Sequence, residues 1–339
     1  MKVLFLFNKV RKGMDLPRNL FFGMEELRQY GHETGYLEIE HVCPAWLCSL
    51  LRRYVLSMHS VHLPLFPWFF RYDIIFTSTA YYSMLLKAVL GIRSFAWVLL
   101  DFNIRGTIGD ANTLRQRIFQ FAVSRVDGIV TINEAEKKML EELFPHLVGR
   151  IVCIPEATDT DFFTPTGEKE EDYVLTVGNF GRDFKMLIDA VAGTDMRAII
   201  AGKSGFSSGS LPPNVTHGMY SPGEMRSLYS RARAVFIGIN PPEKYADSVG
   251  TLSLGEALAM SKAVVVTRTK SMETYITDGT NGIFVPRRDS VALRKVLEQL
   301  FSDEKQRNML GRNARAYAQK ELSLKIFAGR LSEFFRTIQ

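Results

Sequence analysis

Short apolar runs recur along this chain, each closed by a polar turn and followed by a stretch with helical periodicity. That alternation restricts the fold more than any other feature, because it predicts a parallel sheet wrapped by helices, an α/β architecture. Val3 to Phe7 is a continuous apolar run, as expected of a strand buried on both faces, and it ends in a polar loop containing Gly13. Asp15 reads as the N-cap of a helix through Met24 and Leu27 to Tyr30, with Gly31 as its stop. A strand near Tyr36 follows. The rhythm continues at Ile74 to Thr77, a helix to Leu90 with Gly91, Phe95 to Leu100, Gly128 to Thr131, a helix from Glu134 to Phe144, and Ile151 to Ile154.

Pro155 to Thr166 shows neither period, and Glu168-Lys169-Glu170-Glu171-Asp172 has the composition of a solvated linker. The pattern then restarts with strands at Val174 to Val177, Ala198 to Ala201, Val215 to His217, Val235 to Ile239, Ala263 to Thr267 and Ile283 to Val285. Two Rossmann-like domains are therefore expected: residues 1–155, a linker over 156–172, and residues 173–320. The last helix, 321–339, carries Ile326, Phe327, Leu331, Phe334, Phe335 and Ile338 on one stripe, a face that packing back toward the N-terminal domain would cover. Open α/β sheets bind ligands at the carboxyl edge of their strands, so two in tandem predict a central cleft for a large, two-part substrate.

Composition narrows the function. The formal charge of +6 over 339 residues is modest and no Lys/Arg-rich tract accompanies it, which argues against a nucleic-acid partner. Cys43, Cys48 and Cys153 have no metal-ligand spacing and sit among apolar residues, which fits a reducing cytoplasm. The apolar start is too short for a signal peptide core, and no stretch approaches the ~20 apolar residues that span a bilayer. Between His41 and Leu100, however, Arg52, Arg53, Arg71, Lys87 and Arg93 face a single acid, Asp73. Trp46 through Leu50, Arg52, Arg53, Tyr54 and Leu56, with Leu63 to Phe70, join aromatics to these cations in a composition suited to an anionic membrane surface. The equal alternative is that they cover the N-terminal sheet.

Several segments carry chemistry. In Ser248-Val249-Gly250-Thr251-Leu252-Ser253-Leu254-Gly255-Glu256, glycine and threonine precede a helix whose positive end suits a diphosphate. Gly250 would admit the ligand to the backbone, Thr251 add a hydroxyl, and Glu256 accept hydrogen bonds from ribose hydroxyls; the bland alternative is an amphipathic helix with one exposed glutamate. Gly178-Asn179-Phe180-Gly181-Arg182-Asp183-Phe184-Lys185 offers two cations at a strand-to-helix turn, placed to stabilise a departing nucleoside diphosphate or simply solvated. Ala201-Gly202-Lys203-Ser204-Gly205 is not a P-loop, since Arg197 stands where that motif needs glycine. Asp159-Thr160-Asp161 reads as DxD, but its place beside Phe162-Phe163 in the linker assigns it to solvent rather than to a metal. His59 and His62 read as helix or loop surface.

The ordered set Gly250-Thr251 through Glu256-Ala257-Leu258-Ala259, Lys262-Ala263-Val264-Val265-Val266-Thr267 and Asp278-Gly279-Thr280-Asn281-Gly282-Ile283-Phe284-Val285-Pro286 resembles the C-terminal domain of retaining GT-B glycosyltransferases. The family meant is the glycosyl transferases group one, or family four. Val126-Asp127-Gly128-Ile129-Val130-Thr131 and Ile154-Pro155 to Phe163-Thr164-Pro165 resemble its last N-domain unit and interdomain crossing. The likeness runs from Tyr72 to the C-terminus, while residues 38–71 do not match.

The resemblance implies the GT-B fold and transfer of a sugar, with retention, from a UDP- or GDP-sugar to a glycan or lipid-linked acceptor in the cytoplasm, at the inner face of the membrane if membrane is met. It implies that Arg182 and Lys185 stabilise the leaving diphosphate without a metal or cofactor. Gly13, Gly178, Gly202, Lys203, Met219, Tyr220, Ser248, Gly250, Thr251 and Glu256 become candidates for donor binding. Asn179 stands where the family has Arg, Ser248 where it has a first glutamate, and Leu100 where it often has a histidine, which leaves Asp101 and Asn103 as candidates near the reacting carbon. A same-face transfer needs no dedicated base, in keeping with the absence of a glycosidase-like carboxylate pair. The competing readings are a regulatory protein that kept the pocket but lost transfer, and a nucleotide-sugar epimerase or phosphorylase on the same fold.

Overall fold

The computed structural model describes residues 1–6, 17–18, 22–37, 44, 46, 60, 62–102, 104–203, 211–240 and 249–338. Among these, twelve strands form two parallel sheets of six. In the first, β1 (Lys2–Leu6), β2 (Glu33–Leu37), β3 (Ile74–Thr77), β4 (Ala96–Asp101), β5 (Gly128–Thr131) and β6 (Ile151–Cys153) lie in the order β2-β1-β3-β4-β5-β6. Leu4 pairs with Gly35 on one side and Ile75 on the other, which is why the run from Val3 to Leu6 has no polar alternation. The helices that cover it are α1 (Tyr81–Leu90), α2 (Ile104–Ile108), α3 (Leu114–Val123) and α4 (Glu134–Leu143). Its core joins Leu4, Ile75, Trp97, Leu99 and Ile129 to Phe119 and to Phe69, whose ring meets Trp97 edge-on at 5.7 Å.

The second sheet comprises β7 (Glu171–Val177), β8 (Arg197–Ala201), β9 (Val215–Gly218), β10 (Ala232–Ile237), β11 (Val264–Thr267) and β12 (Ile283–Val285), ordered β12-β11-β10-β7-β8-β9. The helices α5 (Phe184–Val191), α6 (Pro222–Arg231), α7 (Thr251–Ala259), α8 (Ser290–Ser302) and α9 (Glu304–Tyr317) belong to the same half, and α10 (Leu324–Thr337) closes the chain. By contact the chain divides into one unit of Met1–Met14, Gly23–Ile154 and Ala328–Gln339 and another of Asp15–Phe22 and Pro155–Phe327.

Three local expectations differ from the structure. The segment ending at Tyr30 is a 3-10 turn, Glu26–Tyr30, and Gly31 closes it in the left-handed region at φ 82°; the proposed cap Asp15 lies outside the described residues. The second sheet starts at Glu171 rather than Val174, and the acids at its start, though partly exposed, pair with cations. Glu170 pairs with Lys262 and Arg307, both at 3.3 Å, and Glu171 with Arg231 at 2.7 Å and Arg197 at 3.2 Å. Finally, Asp159 is 2% exposed, not solvated.

The apolar stripe of the last helix is buried at Phe327, Leu331, Phe334 and Phe335. Phe335 meets Phe76 and His32 edge-on at 5.9 and 6.1 Å, and Ser332 shares a 2.7 Å hydrogen bond with the ring of His32. Gly128 is required beside it, since a Cβ there would stand 2.7 Å from the Phe334 ring.

Candidate functional site

The strand order of the second sheet reverses between β7 and β10, and the loops that leave their carboxyl ends part at that point, the usual ligand position in an open α/β sheet. Two backbone bonds stitch the loops together, Asp183 N–H to the Gly238 carbonyl at 3.1 Å and Asn240 N–H to the Gly181 carbonyl at 3.0 Å. The next loops are fitted against them by glycine. Gly202 has φ 146°, and a Cβ there would lie 2.0 Å from the Gly178 carbonyl oxygen, so no side chain is tolerated. Lys203 N–H donates to Asn179 Oδ1 at 2.7 Å, and His217 contacts the Gly202 carbonyl at 2.6 Å. The three predicted segments around Gly178, Gly202 and Met219 thus meet at one sheet edge.

Arg182 lies across this edge. Its Nε donates to the Val177 carbonyl at 2.7 Å and one terminal nitrogen to Ser253 Oγ at 2.5 Å, while Nη1 is buried with no partner. A buried, unsatisfied guanidinium nitrogen is costly. Burial lowers its pKa to about 10, against the pull of Tyr229, Glu256 and Glu156. Gly178 and Gly250 make room for the guanidinium: a Cβ would come within 2.2 Å of Nε at the first and 2.8 Å of Nη1 at the second.

Gly250, at φ 100°, also opens α7 and provides no side-chain cap. The first helical amide bond runs from Leu254 to the Gly250 carbonyl, so the amides of Thr251, Leu252 and Ser253 lack helical acceptors, and the positive end of the helix dipole faces the orphan Arg182 nitrogen. Two carboxylates share this space. Thr251 donates its hydroxyl to Glu156 at 2.5 Å, and Tyr229 donates to Glu256 at 2.9 Å. Burial raises both acids from 4.5 to about 7, only partly opposed by the hydroxyl bonds and Arg182. Because the folded chain holds these protons more tightly than the unfolded one, the contribution of these two acids to stability is fullest below pH 4.5 and is lost as pH rises through 7.

Among the other donor candidates, Lys203 and Met219 are exposed, and Tyr220 packs its ring over Gly218. Lys185 is directed along α5, its ammonium 2.6 Å from Asp189 one turn on. Glu156, Tyr229 and Ser253 were not singled out by sequence. Glu156 is the acid directly after Pro155 in a segment read as linker, Ser253 stands inside the Gly250 motif, and Tyr229 carries no local signal.

In the first unit Asp101 is fully buried and accepts the Ile104 amide at 2.7 Å, capping α2. Gly13, Asn103 and Ser248 lie outside the described residues, as do His59, Arg52, Arg53, Tyr54 and Leu56. The DxD carboxylates engage Arg18, at 3.2 Å for Asp159 and 2.7 Å for Asp161, and Asp159 also accepts the Phe162 amide. His62 is buried. The aromatic and basic stretch divides in two: Leu65, Phe66 and Phe69 are core, and Lys87 is buried on Asp127 at 2.9 Å, whereas Trp46 and Phe70 are 70% and 52% exposed. A cavity of about 670 Å³ lies at the amino ends of β3 to β5, between Asp73, Arg93, Asp127 and Arg150, and includes no donor candidate.

Residues 158–317 match the family described as glycosyl transferases group 1. An uncharacterized glycosyltransferase of Methanocaldococcus jannaschii is 23% identical over 220 residues, 62% of this chain and 60% of that protein. The HepE protein of Anabaena, solved in complex with UDP, superposes with a TM-score of 0.73 at 14% identity, over 99% of this chain and 100% of that one. Sucrose-phosphate synthase of Thermosynechococcus elongatus superposes at 0.74 with 17% identity, over 99% and 98%. The family match covers the sheet edge built around Arg182 and Gly250, and the two superpositions extend the fold to the whole chain. Residues 158–317 thus match the group 1 glycosyltransferase family, and the chain as a whole has the GT-B fold.

Proposed function

We propose that this protein transfers a sugar from a nucleoside diphosphate donor, with the diphosphate seated at the amino end of α7. The observation that carries the reading is the buried Arg182 Nη1, which has no partner and lies beside Gly250 and the first amides of that helix. A diphosphate supplies the acceptors all these groups lack, and because negative charge grows on it as the glycosidic bond breaks, the same groups favour the transition state over the bound donor. Glu256 takes the ribose hydroxyls, in exchange for part of its contact with Tyr229. Arg182 and the helix dipole supply the electrostatic assistance that a divalent ion gives elsewhere, and transfer proceeds with retention, a donor phosphate oxygen taking the acceptor's proton.

UDP-sugars are the first donors to test, since the Anabaena protein has been solved with UDP and with UDP-glucose; GDP-sugars are the second. The acceptor, a glycan or a lipid-linked sugar, is assigned to the N-terminal unit, where Asp101 marks the carboxyl edge of its sheet. Exposed Trp46 and Phe70 support a peripheral contact with anionic membrane at the cytoplasmic face.

Calorimetry against UDP, GDP and ADP forms of glucose and mannose tests the donor site, and no binding of any of them refutes it. NMR of the product anomer and assays in chelator test retention and metal independence. Flotation with anionic liposomes at low salt tests the membrane contact. The pairing of Lys185 with Asp189 favours one alternative, a donor-binding protein without transfer, which predicts tight binding with neither transfer nor donor hydrolysis.

A further inference from the structure

Resting on the donor site proposed above, the geometry points to a further determinant of donor binding: Glu156 is an internal anion held on Thr251 at the first turn of α7, and the donor diphosphate is admitted when that carboxyl group is protonated. The argument begins with position. Thr251 is the first residue of α7, and its hydroxyl is committed to Glu156 Oε2 at 2.5 Å. The backbone of Glu156 is fixed as well, since its amide donates to the Tyr275 phenol at 3.0 Å. The free chain therefore meets the helix dipole and Arg182 with a carboxylate of its own.

A nucleotide sugar brings two further negative charges to the same place. With Glu156 and Glu256 both ionised, four negative charges would share Arg182 and one helix end, and like charges at such range repel strongly in a half-buried setting. Protonation of Glu156 removes one charge, releases the Thr251 hydroxyl to turn toward a phosphate oxygen, and makes the carboxyl group a donor. The groups that face Glu156 are Arg182 from the loop before α5, Thr251 and Glu256 from α7, and Tyr275, with Tyr229 of α6 behind Glu256. Burial already raises Glu156 to about 7, so the exchange falls in the ordinary working range.

The sign follows. Above pH 7 the competent, protonated fraction shrinks, and apparent affinity falls in proportion to it, by about tenfold between pH 6 and pH 8. The test is calorimetric titration of the full chain with UDP-glucose, GDP-mannose and ADP-glucose from pH 5.5 to 8.5. These diphosphate diesters do not change charge over that interval, so the slope reports on the protein. Wild type should lose about tenfold in affinity between pH 6 and pH 8 and about thirtyfold across the whole interval, and Glu156→Gln should bind at pH 8 as wild type does at pH 6. Glu256→Gln should keep the slope contributed by Glu156. A flat wild-type profile, or a folded Glu156→Gln that keeps the wild-type slope or binds nothing, overturns the proposal. Should that variant fail to fold, Thr251→Val serves instead: without the hydroxyl the carboxyl group keeps its proton to higher pH, so the midpoint must move up, and an unmoved midpoint is equally fatal. Absence of binding by wild type at every pH instead refutes the donor site itself.

Discussion

Both units place a helix after the strand at which the sheet order turns, α1 after β3 and α7 after β10, and both helices begin on a left-handed residue without a side-chain cap. Ala80, at φ 68°, precedes the first and Gly250, at φ 100°, the second. Elsewhere Thr113, Asn133, Asp183, Ser221, Asp289 and Asp303 cap their helices with a side chain. The surroundings of the two uncapped ends differ. At α1 the chain fills its own site: Tyr81 is buried with its ring 5.0 Å from Phe119, and its phenol is pushed up by burial and by Asp101. At α7 it leaves an unpaired guanidinium nitrogen and two half-buried acids. A shared backbone plan leaves both helix starts without a side-chain cap, and the side chains decide that only the α7 end has a buried, unpartnered cation beside it.

Removing the guanidinium should break the contrast most completely. Arg182→Ala should lower kcat/KM about 100-fold, the ~3 kcal/mol expected for a charge-assisted contact that strengthens in the transition state. Arg182→Lys should recover little of it, since an ammonium cannot serve Val177, Ser253 and a phosphate from one planar fork. Steady-state kinetics on the donor identified by calorimetry decides both, and near-normal kcat/KM in the alanine variant would remove Arg182 from the chemistry.

Next in size is the glycine-built loop edge beside Arg182. Gly202→Ala sets a methyl against the Gly178 carbonyl in a conformation that only glycine adopts readily, and should cost about 1–3 kcal/mol of stability together with donor affinity. Gly223→Ala, in open space near the start of α6, is the matched control and should be neutral within about 0.5 kcal/mol. Chemical denaturation of the two measures the difference.

Exchanging the two uncapped ends sharpens the comparison further. Gly250→Ala adds left-handed strain and presses on Arg182 Nη1, for a loss of about 1–2 kcal/mol and weaker donor binding. Ala80→Gly removes the same strain from α1 and should leave stability within about 1 kcal/mol and donor affinity unchanged. If both variants weaken donor binding equally, the two helix ends do not differ in their part in it.

The sequence made the sheets legible because strands buried on both faces must be apolar throughout, as Val3 to Leu6 and Val264 to Val266 are. The glycine turns were legible for an equally local reason, since Gly178, Gly202 and Gly250 occupy backbone conformations that other residues avoid. What escaped is what depends on distance along the chain. Glu156 and Thr251 are 95 residues apart, and Tyr229 and Glu256 are 27 apart, so no spacing announces either bond. The ion pairs of Glu170 and Glu171 are invisible for the same reason, their cations Arg197, Arg231, Lys262 and Arg307 lying in four other elements or their connections.

Lys185 is the smallest and most discriminating case. Family resemblance gives it the leaving diphosphate, while its ammonium rests on Asp189 at 2.6 Å on an exposed helix face, an i,i+4 pair that contributes about 0.3–0.5 kcal/mol. If the pair is all it does, Lys185→Ala and Asp189→Ala should behave alike, each with a small loss of stability that salt abolishes and with unchanged kcat. If Lys185 swings to the diphosphate, Lys185→Ala alone should lower kcat, and Asp189→Ala, by releasing the ammonium, should leave kcat unchanged or raise it. Kinetics of the two single variants at low and high salt separate the outcomes, because a surface pair is screened over a Debye length of about 8–10 Å and a contact with a half-buried phosphate much less so.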